Sequence, residues 1–115
     1  MGETRLIFKI VPRGEWQSES GDYLGSAHDR ADGFLHFSTL PQLGETLKRY
    51  YIDRDDLILV AVDAAALGAR LKWEYSPSRG EEFPHLYASL SCNAIKWARP
   101  LLKDKRGNFI LPQAQ

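Results

Sequence analysis

The chain has 115 residues, of which 43% are hydrophobic and 26% are charged. This is the composition of an ordinary globular domain spanning residues 1–115, and it excludes a disordered chain. Fifteen basic residues balance fifteen acidic ones, so the basic excess that marks non-specific nucleic-acid binding is missing, and a nucleic-acid partner is not expected.

The first part of the chain predicts alternating strands and helical segments. Residues 6–11 are mostly apolar and β-branched, which favours a first strand. Residues 13–20 are expected to form a short N-terminal helix with Trp16 facing the core. Residues 22–32 contain glycine and several polar side chains and are predicted to be a loop, followed by a second strand at residues 33–38.

The main helix is predicted to begin after Thr39. Thr39 is a favourable N-cap, and Pro41 suits the first turn. The apolar side chains that follow repeat at helical spacing and share one face: Leu40, Leu43, Leu47, Tyr50 and Tyr51. We expect this face to pack on the core.

The second part of the chain predicts several short strands. Residues 57–62 are apolar at every position, which is typical of a central strand covered on both faces. Asp63 is expected to cap one helical turn that ends at Gly68. Further strands are predicted at residues 70–75, 85–90, 94–99 and 108–111, with a polar loop at 76–82 and a hairpin turn at 105–108. Many short strands with one substantial helix predict an α+β fold, because a doubly wound parallel sheet needs a helix between its strands.

The sequence also allows a prediction of the cellular compartment. No apolar run follows the first charged residues, so the N-terminus does not read as a secretory signal. The longest apolar run, residues 57–62, is too short to cross a bilayer. The single cysteine, Cys92, cannot form an internal disulfide and fits a reducing compartment. We therefore expect a cytoplasmic protein without a membrane partner.

Two strands that carry histidines supply the first candidate site residues. A period of two places His36 and Ser38 on one face of their strand, and His85 and Tyr87 on one face of theirs. The two pairs could point into one cleft or lie on opposite sides of the sheet. A half-exposed strand face with a hydrogen-bonded histidine fits the same spacing.

Glu74 is a candidate for the chemistry of such a cleft. It shares a strand face with Arg70 and Lys72, so a solvated carboxylate is one interpretation. In the other, it stabilises a developing cation or takes a proton from a hydroxyl group.

No metal is expected from the spacing of the histidines. His28, His36 and His85 are the three histidines of the chain, and none forms the close pair of a zinc-binding helix. Cys92 opens an apolar strand, which favours a packing role over that of a nucleophile.

The order of these segments resembles the bacterial family catalogued as domain of unknown function 952. The resemblance covers about positions 6–102. It is carried by Phe8 to Arg13 with Trp16, Gly33 to Thr39, Tyr50-Tyr51, Asp55 to Leu57, Asp63 with Leu67-Gly68, Trp73-Glu74, and Phe83 to Tyr87.

This resemblance implies a distant relationship with the ADP-ribosyltransferase fold, which includes the RNA 2'-phosphotransferases. That fold is a split, mostly antiparallel sheet whose cleft holds NAD. Its enzymes share a His or Arg on the first strand, an aromatic residue or His on the second, and often a Glu on a late strand.

Carried onto this chain, the resemblance implies the roles of individual residues. Lys9 or Arg13 takes the first position, His36 with Ser38 the second, and Glu74 the third. The far wall is expected from His85 and Tyr87, and Tyr23 is also expected to bind ligand. Many family members have His where this chain has Lys9, and Gly-Pro where it has Ala88-Ser89; a lysine ammonium cannot accept a hydrogen bond from a ribose.

The resemblance also implies a substrate. With NAD in the cleft, the reaction is cleavage of the nicotinamide–ribose bond by a transferase or glycohydrolase, through an oxocarbenium-like transition state that needs electrostatic stabilisation. Recognition of a phosphorylated nucleotide by Arg13 and Lys9 is a second interpretation. A non-catalytic module that binds a small ligand or a protein partner is a third.

Overall fold

The computed structural model describes residues 5–16 and 22–112. In this part of the chain six strands form two three-stranded antiparallel sheets, with the orders β1-β3-β6 (the first sheet) and β2-β5-β4 (the second sheet). The strands are β1 (Leu6–Pro12), β2 (Leu35–His36), β3 (Leu57–Asp63), β4 (Leu71–Ser76), β5 (Glu81–Leu86) and β6 (Ile95–Pro100). The α-helices are α1 (Ala27–Asp32) and α2 (Leu40–Tyr50), and short 3-10 segments cover Arg13–Glu15, Ala64–Arg70 and Cys92–Ala94. The predicted α+β class is confirmed, and the strands form two small antiparallel sheets.

The strand β3 is the centre of the first sheet, with β1 and β6 on its two sides. Leu57 and Leu59 pack on the side of α2, whereas Val60 and Val62 pack on the side of the second sheet. The expectation that this apolar run is covered on both faces is therefore confirmed, and its burial explains the absence of polar residues.

The helix α2 begins where the sequence predicts. The N–H of Thr39 donates to the side-chain oxygen of Gln42 at 2.9 Å, which helps to fix the first turn. Leu43 and Leu47 are completely buried against the first sheet. Tyr50 belongs to the predicted apolar face, but it is 60% exposed, so its assignment to the core is wrong.

A backbone bridge links the first sheet to the segment that follows β2 of the second. Phe8 of β1 and Ser38, which follows β2, exchange two backbone hydrogen bonds of 2.8 Å. Next to this bridge, the ammonium of Lys9 donates to the carbonyl of His36 at 3.1 Å. The junction therefore brings β1 against the histidine of β2.

The region predicted as a loop at residues 22–32 contains the helix α1. Ser26 and Asp29 form a capping box: the Ser26 hydroxyl accepts from the N–H of Asp29 at 3.2 Å, and the Asp29 carboxylate accepts from the N–H of Ser26 at 3.0 Å. Gly33 closes the helix with a φ of +88°. The prediction of a loop was wrong because these caps stabilise a short helix that has no apolar periodicity.

Several strand boundaries also differ from the prediction. The strand expected at residues 33–38 has only two ladder residues: Phe37 donates its N–H to the carbonyl of Pro84 at 3.0 Å, but Pro84 has no N–H to return the bond. The strand predicted at 85–90 lies at Glu81–Leu86, so the turn before it spans only residues 77–80. Among the described residues, 108–111 form one isolated pair, Lys103 with Phe109, instead of a strand.

The N-terminal helix expected at residues 13–20 is a single 3-10 turn over Arg13–Glu15 in the part that the structure describes. Residues 17–20 of that prediction lie outside the described residues.

The longest helix of the described residues, α2, has 11 residues, whereas a bilayer requires about 20. Over residues 5–16 and 22–112, no helix is long and apolar enough to cross a membrane.

Candidate functional site

The second sheet has one face in the core and one face in an open cleft. Leu71 and Leu86 lie opposite each other on β4 and β5 and pack into the core. By the period of two, Phe83 and His85 lie on the other face, and both line the cleft. The cleft measures about 590 Å³, within the usual range of small-molecule pockets. Its aromatic lining comes from the segment around β2, the end of α2 and its C-cap, β4 and β5: Phe34, Phe37, Tyr50, Tyr51, Tyr75 and Phe83.

Both strand histidines point into this cleft. His36 and His85 are directly opposite each other in the β2–β5 register, and their ring centroids lie 5.6 Å apart. Phe34 stacks on His85 with a centroid distance of 4.1 Å. Ser38 lines the same cleft, next to Thr46 of α2 at 3.3 Å between the hydroxyl oxygens. The structure therefore settles the alternative that the strand spacing left open.

A buried ion pair between Lys9 and Asp29 holds the His36 ring from the side of the core. Lys9 lies on the face of β1 that packs against the second sheet, where a charge requires a partner. Its Nζ lies 2.6 Å from Oδ2 of Asp29, and the two side chains are 3% and 1% exposed. The other oxygen of Asp29 lies 2.7 Å from Nδ1 of His36. The side chains of Lys9, Asp29 and His36 thus form one line of contacts from the core to the cleft.

The contacts with His36 and Lys9 also determine the charge of the Asp29 carboxyl group. Burial raises the pKa of this carboxyl, but the hydrogen bond from His36 and the positive charge of Lys9 outweigh it and hold the pKa well below its usual range. Burial lowers the pKa of Lys9, and the charge and hydrogen bond of Asp29 oppose that change. Asp29 is therefore a carboxylate that fixes the orientation of the His36 ring.

The second nitrogen of His36 faces another carboxylate. Its Nε2 lies 2.9 Å from Oδ2 of Asp32, the last residue of α1. His28 stacks on the His36 ring at 4.4 Å, and its Nε2 lies 3.7 Å from the same oxygen of Asp32. The rim of the cleft therefore gathers two imidazoles and a carboxylate.

His85 has its own carboxylate. Oε1 of Glu74 lies 2.8 Å from Nδ1 of His85 and accepts the hydroxyl of Tyr87 at 2.6 Å. These hydrogen bonds, from Tyr87 and then from His85, lower the pKa of Glu74, and the bond to Glu74 raises the pKa of Tyr87. With Nδ1 bound to the carboxylate, Nε2 of His85 is the nitrogen left for a group in the cleft. No group of the described residues hydrogen-bonds to it.

Arg79, in the turn between β4 and β5, supplies the arginine of the cleft lining. Its guanidinium donates to Oγ1 of Thr46 at 3.0 Å and lies over the ring of Phe83 at 4.5 Å. The segment 76–82 was predicted only as a polar loop, so the sequence analysis missed this residue. Nothing in the local pattern distinguishes Arg79 from a solvated arginine.

The structure brings some of the predicted site residues together and leaves others apart. His36, Ser38 and His85 line the cleft, while Glu74 and Lys9 reach it through the histidines. Tyr87 bonds to Glu74 and lines a smaller neighbouring cavity.

Arg13 and Tyr23 lie outside the cleft. Arg13 is exposed, and its N–H donates to the carbonyl of Asp56 at 2.7 Å. Tyr23 is 3% exposed and packs in the core with its ring 5.1 Å from that of Trp16. Neither is placed to contact a ligand that occupies the main cleft.

Four residues that build the site were not predicted: His28, Asp29, Asp32 and Arg79. Three of them lie on α1, which was assigned to a loop. The Ser26-x-x-Asp29 spacing of the capping box was the signal that could have revealed this helix.

Comparisons with known proteins agree on the fold. A family profile described as "Protein of unknown function (DUF952)" matches residues 10–98. The crystal structure of protein CC0527 from Caulobacter crescentus is 40% identical with a TM-score of 0.81, covering 91% of this chain and 93% of that one. The solution NMR structure of CC0527 is 41% identical with a TM-score of 0.77, covering 90% of each chain. No curated protein matches the chain.

Proposed function

The chain belongs to the DUF952 family, and we propose that its cleft binds NAD or a related nucleotide on a fold akin to that of the ADP-ribosyltransferases. The observation that carries this proposal is the convergence of His36 and His85 in one aromatic cleft of about 590 Å³. A cavity of this size accommodates a small organic ligand, and Nε2 of His85 at its wall offers a hydrogen bond to a ribose hydroxyl.

The aromatic lining supports a planar base as part of the ligand. Tyr50 and Tyr75 line the cleft with 60% and 63% of their surfaces exposed, so their rings are accessible to a ligand. Stacking of a base on such a ring contributes about 1–3 kcal/mol. Exposed aromatic side chains at the opening of a cleft are therefore suited to hold the adenine or nicotinamide ring.

Arg79 supports a phosphate as another part of the ligand. Its guanidinium N–H groups suit phosphate oxygens, and the contact with Thr46 holds the side chain at the cleft. In the sequence analysis this role belonged to Arg13 and Lys9. Lys9 is committed to Asp29, and Arg13 does not line the cleft, so Arg79 takes the role in the proposal.

The chemistry proposed for the cleft is cleavage of the bond between nicotinamide and ribose. Positive charge then develops on the ribose, and the carboxylates bound to the two imidazoles, Glu74 to His85 and Asp32 to His36, contribute negative charge beside the cleft. His85 can accept a proton at Nε2 from the attacking hydroxyl group or water, because Glu74 holds Nδ1. Glu74 thus acts through His85.

Binding is tested by calorimetric titration with NAD, ADP-ribose and a 2'-phosphorylated nucleotide. The variants are Arg79→Ala and, as a matched control, Arg99→Ala, since Arg99 lies over Trp97 in the first sheet and does not line the cleft. We expect Arg79→Ala to weaken binding about tenfold or more, as loss of a charge-assisted hydrogen bond does, and Arg99→Ala to change it little. Absence of binding by all three ligands to folded protein would contradict the proposal.

Release of nicotinamide from NAD separates catalysis from binding alone. We expect the wild-type protein to release nicotinamide and Glu74→Gln to bind NAD normally with little release. Equal affinity in both proteins, with no release by either, would favour the non-catalytic ligand-binding module instead.

A further inference from the structure

Three side chains with metal-binding atoms converge where α1 meets β2, at the rim of the cleft. They are His28, Asp32 and His36, and their ligand atoms all lie within 4.8 Å of one another. His28 and Asp32 are four residues apart and so share a face of α1. The turn at Gly33 reverses the chain and brings His36 back against that face.

The separations of these atoms suit one ion. In a tetrahedral site with bonds of about 2.1 Å, neighbouring ligand atoms lie about 3.4 Å apart. Oδ2 of Asp32 lies 2.9 Å from Nε2 of His36 and 3.7 Å from Nε2 of His28, which brackets that distance. The His28 ring is stacked on that of His36 with 23° between their planes, so it must turn out of the stack to direct Nε2 at the same ion, and its 69% exposure leaves room for that rotation.

A second observation, at the other ring nitrogen of His36, also points to an ion. Metal-bound histidines commonly hold their other nitrogen against a carboxylate, which fixes the ring and raises its basicity. Asp29 provides this contact to Nδ1 of His36, and it is itself buried and held by Lys9. The ring therefore presents Nε2 toward Asp32 and His28 in a fixed orientation.

We propose that His28, Asp32 and His36 bind one divalent transition-metal ion of the Zn²⁺ type. Two imidazoles and one carboxylate favour such ions over Mg²⁺ and Ca²⁺, which take oxygen ligands. Three protein ligands leave a coordination position open, as in catalytic zinc sites. His28 and His36 line the cleft, so this position faces a water molecule or an oxygen atom of whatever ligand the cleft holds. The proposal does not depend on the nucleotide.

The histidine spacing had led to the expectation of no metal. His28, Asp32 and His36 are spaced four residues apart in the sequence, but the first two were placed in a predicted loop and the third on a strand, so the spacing was not interpreted as a ligand set. That expectation stays untested, and the proposed site replaces it as the hypothesis to examine.

The test is a titration of the full chain, without a histidine tag, with Zn²⁺ and with Co²⁺ in the absence of nucleotide. We expect one ion per chain with a Kd of about 10 μM or below, and tetrahedral Co²⁺ absorption. His28→Ala and Asp32→Asn each remove a ligand and should weaken binding about 100-fold, whereas Asp29→Asn should weaken it about 10- to 100-fold. His85→Ala is the matched control, since it removes a cleft histidine outside the cluster, and should retain affinity within about threefold.

Three results would overturn the proposal. They are a Kd of about 1 mM or above, unchanged affinity in His28→Ala, and loss of binding in Cys92→Ser, which would place the ion at the exposed thiol. His28 is exposed, so its alanine variant is expected to fold, and circular dichroism checks this. The metal titration contains no nucleotide, so a failure to bind metal does not contradict the nucleotide proposal. Likewise, a failure to bind nucleotide does not contradict the metal proposal.

Discussion

His36 and His85 are opposite residues of neighbouring strands, and their rings meet edge to face with centroids 5.6 Å apart. Each ring binds a carboxylate through Nδ1, Asp29 for His36 and Glu74 for His85. The two carboxylates differ in environment: Asp29 is buried and paired with Lys9, whereas Glu74 is partly exposed. The two histidines should therefore respond differently to substitution.

Replacement of Lys9 tests the buried ion pair. Lys9→Met leaves the Asp29 carboxylate buried without its cation, so we expect the free energy of unfolding to fall by about 3–5 kcal/mol. Urea denaturation measures this, with Lys96→Met as the matched control because Lys96 is exposed on β6. A loss no larger than that of the control would show that Lys9 does not stabilise the fold through Asp29.

Replacement of His36 should destabilise the fold as well as remove a cleft residue. His36→Ala takes away a hydrogen-bond partner of buried Asp29, so we expect a loss of about 1–3 kcal/mol. At roughly 4 °C per kcal/mol for a chain of this size, the Tm falls by several degrees. Calorimetry should show a smaller fall for His85→Ala, whose carboxylate is partly exposed. Equal Tm values for wild type and His36→Ala would contradict the prediction.

The contribution of Glu74 to stability should depend on pH. Its hydrogen bonds to Tyr87 and His85 lower its pKa, so the ionised form is favoured in the folded state. The resulting stabilisation is present above the pKa of glutamate in the unfolded chain and is lost as the pH falls through the lowered pKa. We expect the Tm of Glu74→Gln to lie below that of wild type at neutral pH, and the two values to converge in acid, once the pH has fallen through the lowered pKa of Glu74. A difference that stays constant over this range would rule out the ionised carboxylate as its cause.

The Tyr23 hydroxyl is predicted to contribute no stability. The hydroxyl is buried with no hydrogen-bond partner among the described residues, and burial raises the pKa of Tyr23. A buried polar group without a partner is unfavourable, so we expect Tyr23→Phe to be neutral or to raise the Tm slightly. Affinity for a nucleotide should be unchanged, since Tyr23 does not line the cleft. Loss of affinity in Tyr23→Phe at unchanged Tm would restore Tyr23 as a ligand-binding residue.

The sequence by itself determined the elements whose signals are local. The apolar run at 57–62 predicted a covered central strand, and Thr39 with the spacing of Leu43 and Leu47 predicted α2, because helical and strand periods are visible in any window of the chain. The α+β class followed from the many short strands and one substantial helix, whereas the mostly antiparallel sheet was implied by the family resemblance. At Tyr50 the same periodicity predicted the wrong environment, because spacing gives the direction of a side chain but not which residues surround it.

The tertiary structure alone decided the composition of the site. Asp29 was a polar residue of a predicted loop, and it became the buried partner of Lys9 and His36 only because α1 packs beside β1 and β2. Likewise, whether His36 and His85 share a cleft depends on the pairing of strands far apart in the chain. Burial and long-range pairing are properties of the packed chain, so they determine the charge and position of these groups where residue spacing cannot.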